Sequence, residues 1–308
     1  GDGGDAGDVS VNATGGSITG GGIGSSAILA SSIGGGGGNG GLNVSGGIVT
    51  DSPMIFGVGG LGGNGGKAGD VLVTSVNSLF TLGTEDNTVA GAGLFAQSIG
   101  GGGGNGGLNV SGGFSFAKET NVPSITFGIG GFGGAGEVSG NVTASHTGSI
   151  NTVGAWTHGI FAQSVAGGGG NGALNVSGEL NWADSANSGG AKDLTIVAGL
   201  GGHGGEGADA GNVTVTAMDG IIATFGDYSR GIFAQSIGGG GGTGGMNVTG
   251  VFARNSSPIM LGVGGFGSGA GNAGSVSVTR GAASTPAGKL TTDGVGAVGI
   301  EASSIGGG

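Results

Sequence analysis

Three histidines, 18 carboxylates and no cysteine are the whole acid–base and metal-binding inventory of this 308-residue chain. His146, His158 and His203 are scattered, and none has a carboxylate or serine at a recurring spacing. A zinc centre needs several convergent ligands, and a hydrolytic triad needs a base held by an acid beside a nucleophile; neither is expected here. Asp2, Asp5 and Asp8 alternate with glycines in the opening segment. Carboxylates on a pliable backbone suit calcium, so these three are the candidate metal ligands. The pattern G-x-G-x-x-G covers 57–62 and recurs from Gly128, Gly199 and Gly262. A dinucleotide site places that turn between a strand and a helix, and no helical pattern follows any copy. Neither G-x-S-x-G nor G-K-[ST] occurs. The chain is read as a non-enzyme without a cofactor.

The elements that position these residues come from a long internal repeat. Its fullest copy is Gly93-Leu94-Phe95-Ala96-Gln97-Ser98-Ile99, a glycine run over 100–104, then Asn105-Gly106-Gly107-Leu108-Asn109-Val110-Ser111-Gly112. The anchors Ile33, Ile99, Val165, Ile237 and Ile305 are spaced by 66, 66, 72 and 68 residues. Residues 1–308 are therefore one continuous array: a partial unit 1–26, repeats 27–92, 93–158, 159–230 and 231–298, and the start of another at 299–308. The chain opens and closes inside a unit, which predicts a window from a longer array. Calcium β-rolls set their glycine–aspartate nonapeptide in tandem; here it comes once per unit, and its carboxylates drift.

Alternation of apolar and polar residues predicts strands at 9–14, 71–74, 141–144, 212–216 and 275–279, each after a glycine-rich turn. A second, variable strand pair follows the repeat motif and closes over polar tips at 50–53, 118–123, 184–192 and 254–258. No sustained helical periodicity occurs, and interior glycine costs a helix roughly 1 kcal/mol per position. The expected fold is all-β, a repetitive β-solenoid or β-helix with glycine-rich turns, each unit spanning about two to three coils. The glycine runs are either flexible turns or extended three-residue helices packed backbone to backbone, and their recurrence favours the packed form. Phe95, Phe161 and Phe233 are expected in the core, with Leu29 and Glu301 as departures in the outer copies. In phase, His203 replaces Leu61, Phe132 and Phe266, whereas His158 occupies a variable, exposed position. Asn43, Asn109, Asn175 and Asn247 lie in Asn-x-Ser/Thr triplets that read as strand alternation rather than glycosylation sites.

Glycine supplies 90 residues, charged residues only 8%, and the formal charge is −11. Low charge with phased aliphatics separates this chain from disordered glycine-rich sequences, and the absence of an every-third-residue glycine excludes collagen. The acidic balance disfavours nucleic acid. No apolar run approaches the ~20 residues of a membrane helix.

The wording Ala96 through Gly107 resembles the glycine-rich repeats in passenger regions of large bacterial autotransporters. The resemblance covers all four full units. It implies a secreted β-helical passenger displayed on a Gram-negative cell surface by an outer-membrane barrel, a structural or adhesive role, and partners in neighbouring or host cells. It transfers no functional residue. Two other classes remain open: a self-assembling extracellular fibre, and an ice- or calcium-binding solenoid. An ice-binding face needs a regular threonine array, which 213–216 suggests and 71–74 and 142–144 do not maintain.

Overall fold

Alternating β-branched residues make strands, and each strand pairs in parallel with its own copy in the next repeat. The computed structural model describes residues 1–22, 24–50, 53–83, 91–117, 123–183, 193–254, 256–281 and 288–308. Its described residues contain strands and no helix. Sheet I stacks Val9–Thr14, Val71–Leu82, Val142–Val153, Val213–Met218 and Val276–Gly281, extended sideways by Ser17–Gly20, Ile222–Phe225 and Leu290–Asp293. Sheet II stacks Ser26–Ile33, Gly91–Ile99, Thr157–Val165, Arg230–Ile237 and Val298–Ile305. Sheet III stacks Asn43–Val49, Asn109–Ala117, Asn175–Ala183 and Asn247–Arg254. Sheet IV stacks Met54–Val58, Ser124–Ile129, Asp193–Leu200 and Ser256–Val263.

The register corrects the expected coil count. Ile33 pairs with Ile99, Ile99 with Val165, Val165 with Ile237 and Ile237 with Ile305. One repeat is thus one layer, not two or three coils. A layer passes through sheet II, a first glycine run, sheet III, the tip, sheet IV, a second glycine run and sheet I.

Both glycine runs are ordered, and their hydrogen bonds repeat every third residue. In the first run, the Gly34, Gly37 and Gly40 N–H groups donate to the next layer at Ile99, Gly102 and Asn105 (2.8–2.9 Å). Gly35 and Gly38 donate instead toward the second-run column, to Gly4 and Gly1. The third phase, Gly36 and Asn39, faces outward. Gly63 donates to Gly38 and Gly66 to Gly35, so the two runs of a layer pass antiparallel at backbone contact. Three residues per turn is the period of an extended left-handed helix. A β-carbon on Gly101 would overlap the carbonyl oxygen of Gly35, whereas one on the outward Gly102 would rest 3.5 Å from the Gly168 oxygen.

The outward phase explains the asparagine of the repeat motif. Asn39 Oδ1 accepts the Asn105 N–H at 2.9 Å, Asn105 accepts from Asn171 at 2.9 Å, and Asn171 accepts from Thr243 at 3.0 Å. Outward N–H groups have no neighbouring run to bond, so the side chain one layer below satisfies them. The motif serine has a related task. Ser98 Oγ donates to the Gly69 carbonyl at 2.9 Å and accepts the Gly140 N–H at 2.8 Å, tying sheet II to two successive second runs.

Sheets I and II enclose an apolar core. Val71, Val73, Phe80, Leu94, Ala96, Val142, Ile150, Ile160 and Ile232 are all buried in it. The phenylalanine phase is not, contrary to the sequence expectation. In this strand Leu94, Ala96 and Ser98 point inward, leaving Phe95 and Gln97 half-buried outside. Phe95 stacks on Phe161 at 4.6 Å, and Phe161 meets Phe233 edge-on at 5.0 Å.

Sheets III and IV reverse that polarity. Asn109, Ser111, Ser115, Asn175, Ser177, Ser124, Thr126 and Thr195 are buried between them. Asn43, Asn109, Asn175 and Asn247 form a side-chain amide ladder at 2.6–2.7 Å, and Asn109 and Asn175 also donate to Ser111 and Ser177 at 2.9 Å. Gly57, Gly128 and Gly199 face the ladder, and a β-carbon on Gly128 would overlap Ser177 and Asn175. Outside, sheet IV presents Met54, Ile125, Ile196 and Ile259 in one rank and Phe56, Phe127, Ala198 and Leu261 in the next. These are half-buried in the middle layers and 53–80% exposed at the outer ones among Met54, Phe56, Ile259 and Leu261.

Gly101→Ala is expected to lower the urea midpoint by the equivalent of about 3 kcal/mol, as overpacking does, while Gly102→Ala stays within experimental error. Equal effects would mean that the three-residue packing does not constrain the run.

Candidate functional site

The residues singled out as chemically competent do not converge. Asp2, Asp5 and Asp8 occupy successive outward positions, about 9 Å apart along an extended helix. Asp2 Oδ1 accepts the Asn64 N–H at 2.7 Å, Asp5 accepts from Lys67 at 2.7 Å, and Asp8 accepts from Asp70 at 2.8 Å. The Asp8 ladder continues upward: Asp70 accepts from Asn141 at 2.7 Å, Asn141 from Asn212 at 2.9 Å and Asn212 from Ser275 at 2.8 Å. At this phase asparagine, aspartate and serine follow one another. Calcium ligands converge at about 2.3–2.6 Å from one ion, whereas each of these carboxylates bonds a backbone N–H of the next layer. Among the described residues no cluster of three or more His, Asp or Glu side chains is placed to hold a metal.

His203 is exposed at the outward end of a second run, in register with Leu61, Phe132 and Phe266. Its ring lies 6.4 Å from Phe266, and Nε2 is 3.2 Å from Ser268 Oγ. His146 lies within the strand Val142–Val153 and is 2% exposed, against Phe80 at 5.1 Å. Burial pushes its pKa down to about 4; the Gly148 backbone opposes that shift, and the charge of Arg280 adds to it. His158 corrects an expectation: its position is variable between repeats, yet it is 8% exposed. Its Nδ1 accepts the Arg230 N–H at 3.1 Å. Burial, then the Arg230 charge, lowers it to about 4, with Glu301 acting the other way. Arg230 is in turn ion-paired to Glu301 and stacked on Phe233 at 4.6 Å.

Sequence reasoning missed one buried carboxylate. Glu179 is 5% exposed between sheets III and IV and pairs in register with Gly113 and Val251. Thr126 donates to it at 3.0 Å and Ser115 at 3.5 Å. Burial raises its pKa, while these two hydroxyls pull it back. The available signal was its phase: a carboxylate where the aligned positions are Gly47, Gly113 and Val251.

The exposed feature with the most chemical definition is the corner between sheets I and II. A cleft of about 440 Å³ opens there over the outer face of sheet II, bounded among the described residues by Leu29, Phe95, Phe161, Gln97, His158 and Trp156. Trp156 is 50% and Tyr228 45% exposed, and their rings stack at 4.9 Å. Gln97 Nε2 donates to Ser31 Oγ at 2.9 Å. Of the tip segments expected from sequence, 51–52, 118–122, 184–192 and 255 lie outside the described residues, whereas Arg254 ends a strand of sheet III and 256–258 open a strand of sheet IV.

Two groups give opposite pH dependences. The folded imidazoles of His146 and His158 titrate at about 4 rather than 6.5, so the unfolded chain binds their protons first. That contribution is complete above pH 6.5 and is lost as pH falls toward 4; the His146 shift alone corresponds to about 3 kcal/mol. Glu179, raised above 4.5, does the reverse: its charged form is penalised, so stability declines as pH rises through its folded pKa. Urea midpoints are expected to be higher at pH 7 than at pH 5, with the difference roughly halved in His146→Leu. Glu179→Gln is expected to raise the pH 7 midpoint. A pH-independent midpoint in Glu179→Gln, where the opposing carboxylate is gone, would contradict the buried, neutral imidazoles.

No protein family, curated protein or solved structure matches this chain.

Proposed function

We propose that this chain acts as an extracellular structural and adhesive surface protein, a β-solenoid whose layers are braced by packed polyglycine helices. The observation that carries the reading is layer-to-layer identity. Every sheet and both glycine runs bond to the same segment of the next repeat, so the array extends by adding equivalent layers. Each layer rises about 4.8 Å and consumes 66–72 residues. Such an architecture spends sequence on lateral surface rather than on reach. What it repeats outward are ladders of side chains, and in sequence the units differ in length mainly at the tips. The resemblance to autotransporter passengers supports display on a Gram-negative cell, with neighbouring or host cells as partners.

A second reading, a self-assembling fibre, is favoured by one observation: the apolar outer ranks of sheets III and IV. On the middle strands of sheet III, Phe116 and Trp182 are 42% exposed, and the charged residues of these two sheets are Glu179, which points inward, Asp193 and Arg254. Apolar area of this kind marks association surfaces, and a near-uncharged face avoids the self-repulsion of a −11 chain.

Cells displaying the chain are expected to lose attachment when 118–123 and 184–192 are shortened, with the melting temperature unchanged. Attachment that survives both deletions would overturn the adhesive reading by the tips. For the second reading, light scattering across a concentration series is expected to show growth that Phe127→Glu suppresses; a monomer at every concentration would eliminate it.

A further inference from the structure

The corner cleft points to a ligand. Register aligns Gly24, Trp156, Tyr228 and Gly296 at one position of the turn entering sheet II. All four are left-handed, with φ of 71°, 59°, 58° and 67°. In these four layers the turn is built with positive φ, which glycine adopts without strain. A bulky aromatic does not: such a residue is a steric outlier there and costs on the order of 1–3 kcal/mol. Burial does not offset that cost, because both rings remain about half exposed. Two adjacent layers thus hold strained aromatics where the outer layers use glycine.

The surroundings define what these rings would meet. Phe95 and Phe161 supply a stacked pair beside Trp156, and Gly24 and Gly91 belong to the rim among the described residues. Because His158 Nδ1 accepts the Arg230 N–H, the neutral ring carries its proton on Nε2, a donor. The Gln97 amide donates from Nε2 to Ser31, and its carbonyl oxygen has no partner among the described residues. Among the described residues the lining contains no ionised side chain, so phosphate and carboxylate ligands meet no cation among them and ammonium ligands no carboxylate.

We propose that this cleft binds a neutral carbohydrate, a pyranose ring stacked on Trp156 with its hydroxyls meeting the His158 donor and the Gln97 acceptor. A sugar ring is apolar on its faces and hydrogen-bonding at its edge, the same division that the cleft presents. This gives a ligand class to the adhesive reading above, while the binding itself is measurable on the purified chain, apart from any cell attachment.

The chain has two tryptophans, so Trp182→Phe leaves Trp156 as the sole emitter. Titrating that variant with cellobiose, lactose, maltose and N,N′-diacetylchitobiose to about 50 mM is expected to give a saturable emission change with at least one. Pocket-bound disaccharides commonly reach dissociation constants between micromolar and millimolar, about 4–8 kcal/mol. Saturation-transfer NMR with the responding sugar should show at least tenfold weaker binding to Trp156→Gly, a substitution that restores the strain-free residue and should leave the melting temperature equal or higher. Silence from all four sugars overturns the proposal, as does undiminished binding to Trp156→Gly or a response to adenosine alone. A melting temperature that drops in Trp156→Gly would show the ring to be structural and would overturn it too. Loss of sugar binding with cell attachment intact, or the converse, separates this proposal from the adhesive reading.

Discussion

Backbone-to-backbone contact between the glycine runs is the constraint from which the rest of this structure follows. Gly101 approaches Gly35 so closely that no β-carbon fits, and the same is true of Gly134 against Gly63. Hydrogen bonds at two of every three positions then join each run to its neighbours in the same layer and the next. The third position carries the outward side chains, and the other two are mostly glycine, with alanine at Ala68, Ala166 and Ala173. Asparagine or aspartate at that position accepts the N–H that lacks a neighbouring run, as Asn105 does for Asn171 and Asp70 does for Asn141. The glycine content that would otherwise suggest disorder is thus the condition for packing, and the entropy lost in ordering it is recovered through bonds that other residues would obstruct.

The two sheet pairs on either side of the glycine layer solve different packing problems. Away from it, sheets I and II are far enough apart to interleave Val, Ile, Leu and Phe in an ordinary apolar core. Beside it, sheets III and IV are drawn close, to the point that glycines of sheet IV face the asparagines of sheet III without room for a methyl group. Small polar side chains fill such a gap only if they are fully hydrogen-bonded. In-register stacking achieves this for the asparagine column, because each amide donates to the next copy of itself, as amide ladders do in other stacked parallel sheets. With polar groups inside, the apolar members of the alternation, Val110 and Phe114 among them, turn outward.

That inversion marks how far the sequence was legible. The spacing of Ile33, Ile99, Val165 and Ile237 gives the repeat, and Val-x-Val alternation gives the strands of sheet I, both as observed. Alternation has period two and carries no sign, so it does not say whether Leu94 or Phe95, Asn109 or Val110, faces the core. The sign is set by the distance between sheets, which depends on the glycine packing and is invisible to a hydropathy pattern. The same limit hid the burial of His158 and Glu179. The number of layers per repeat was misjudged because strands of one unit were expected to stack on each other, whereas identical residues stack on identical residues across units.

Repetition also indicates where specificity has to reside. A ladder of equivalent residues offers the same contact in every layer, which suits packing and confers no choice of partner. Discrimination enters where a layer departs from the pattern at a cost to its own stability. Trp156 and Tyr228 accept left-handed backbone that Gly24 and Gly296 occupy without strain, and Glu179 buries a carboxyl where the aligned residues are glycine or valine. These departures lie in the interior repeats, where both neighbouring layers hold the backbone rigidly enough to sustain strain. The cleft proposed to bind sugar lies on the flank of these middle layers, where a backbone held from both sides can impose a geometry on its ligand.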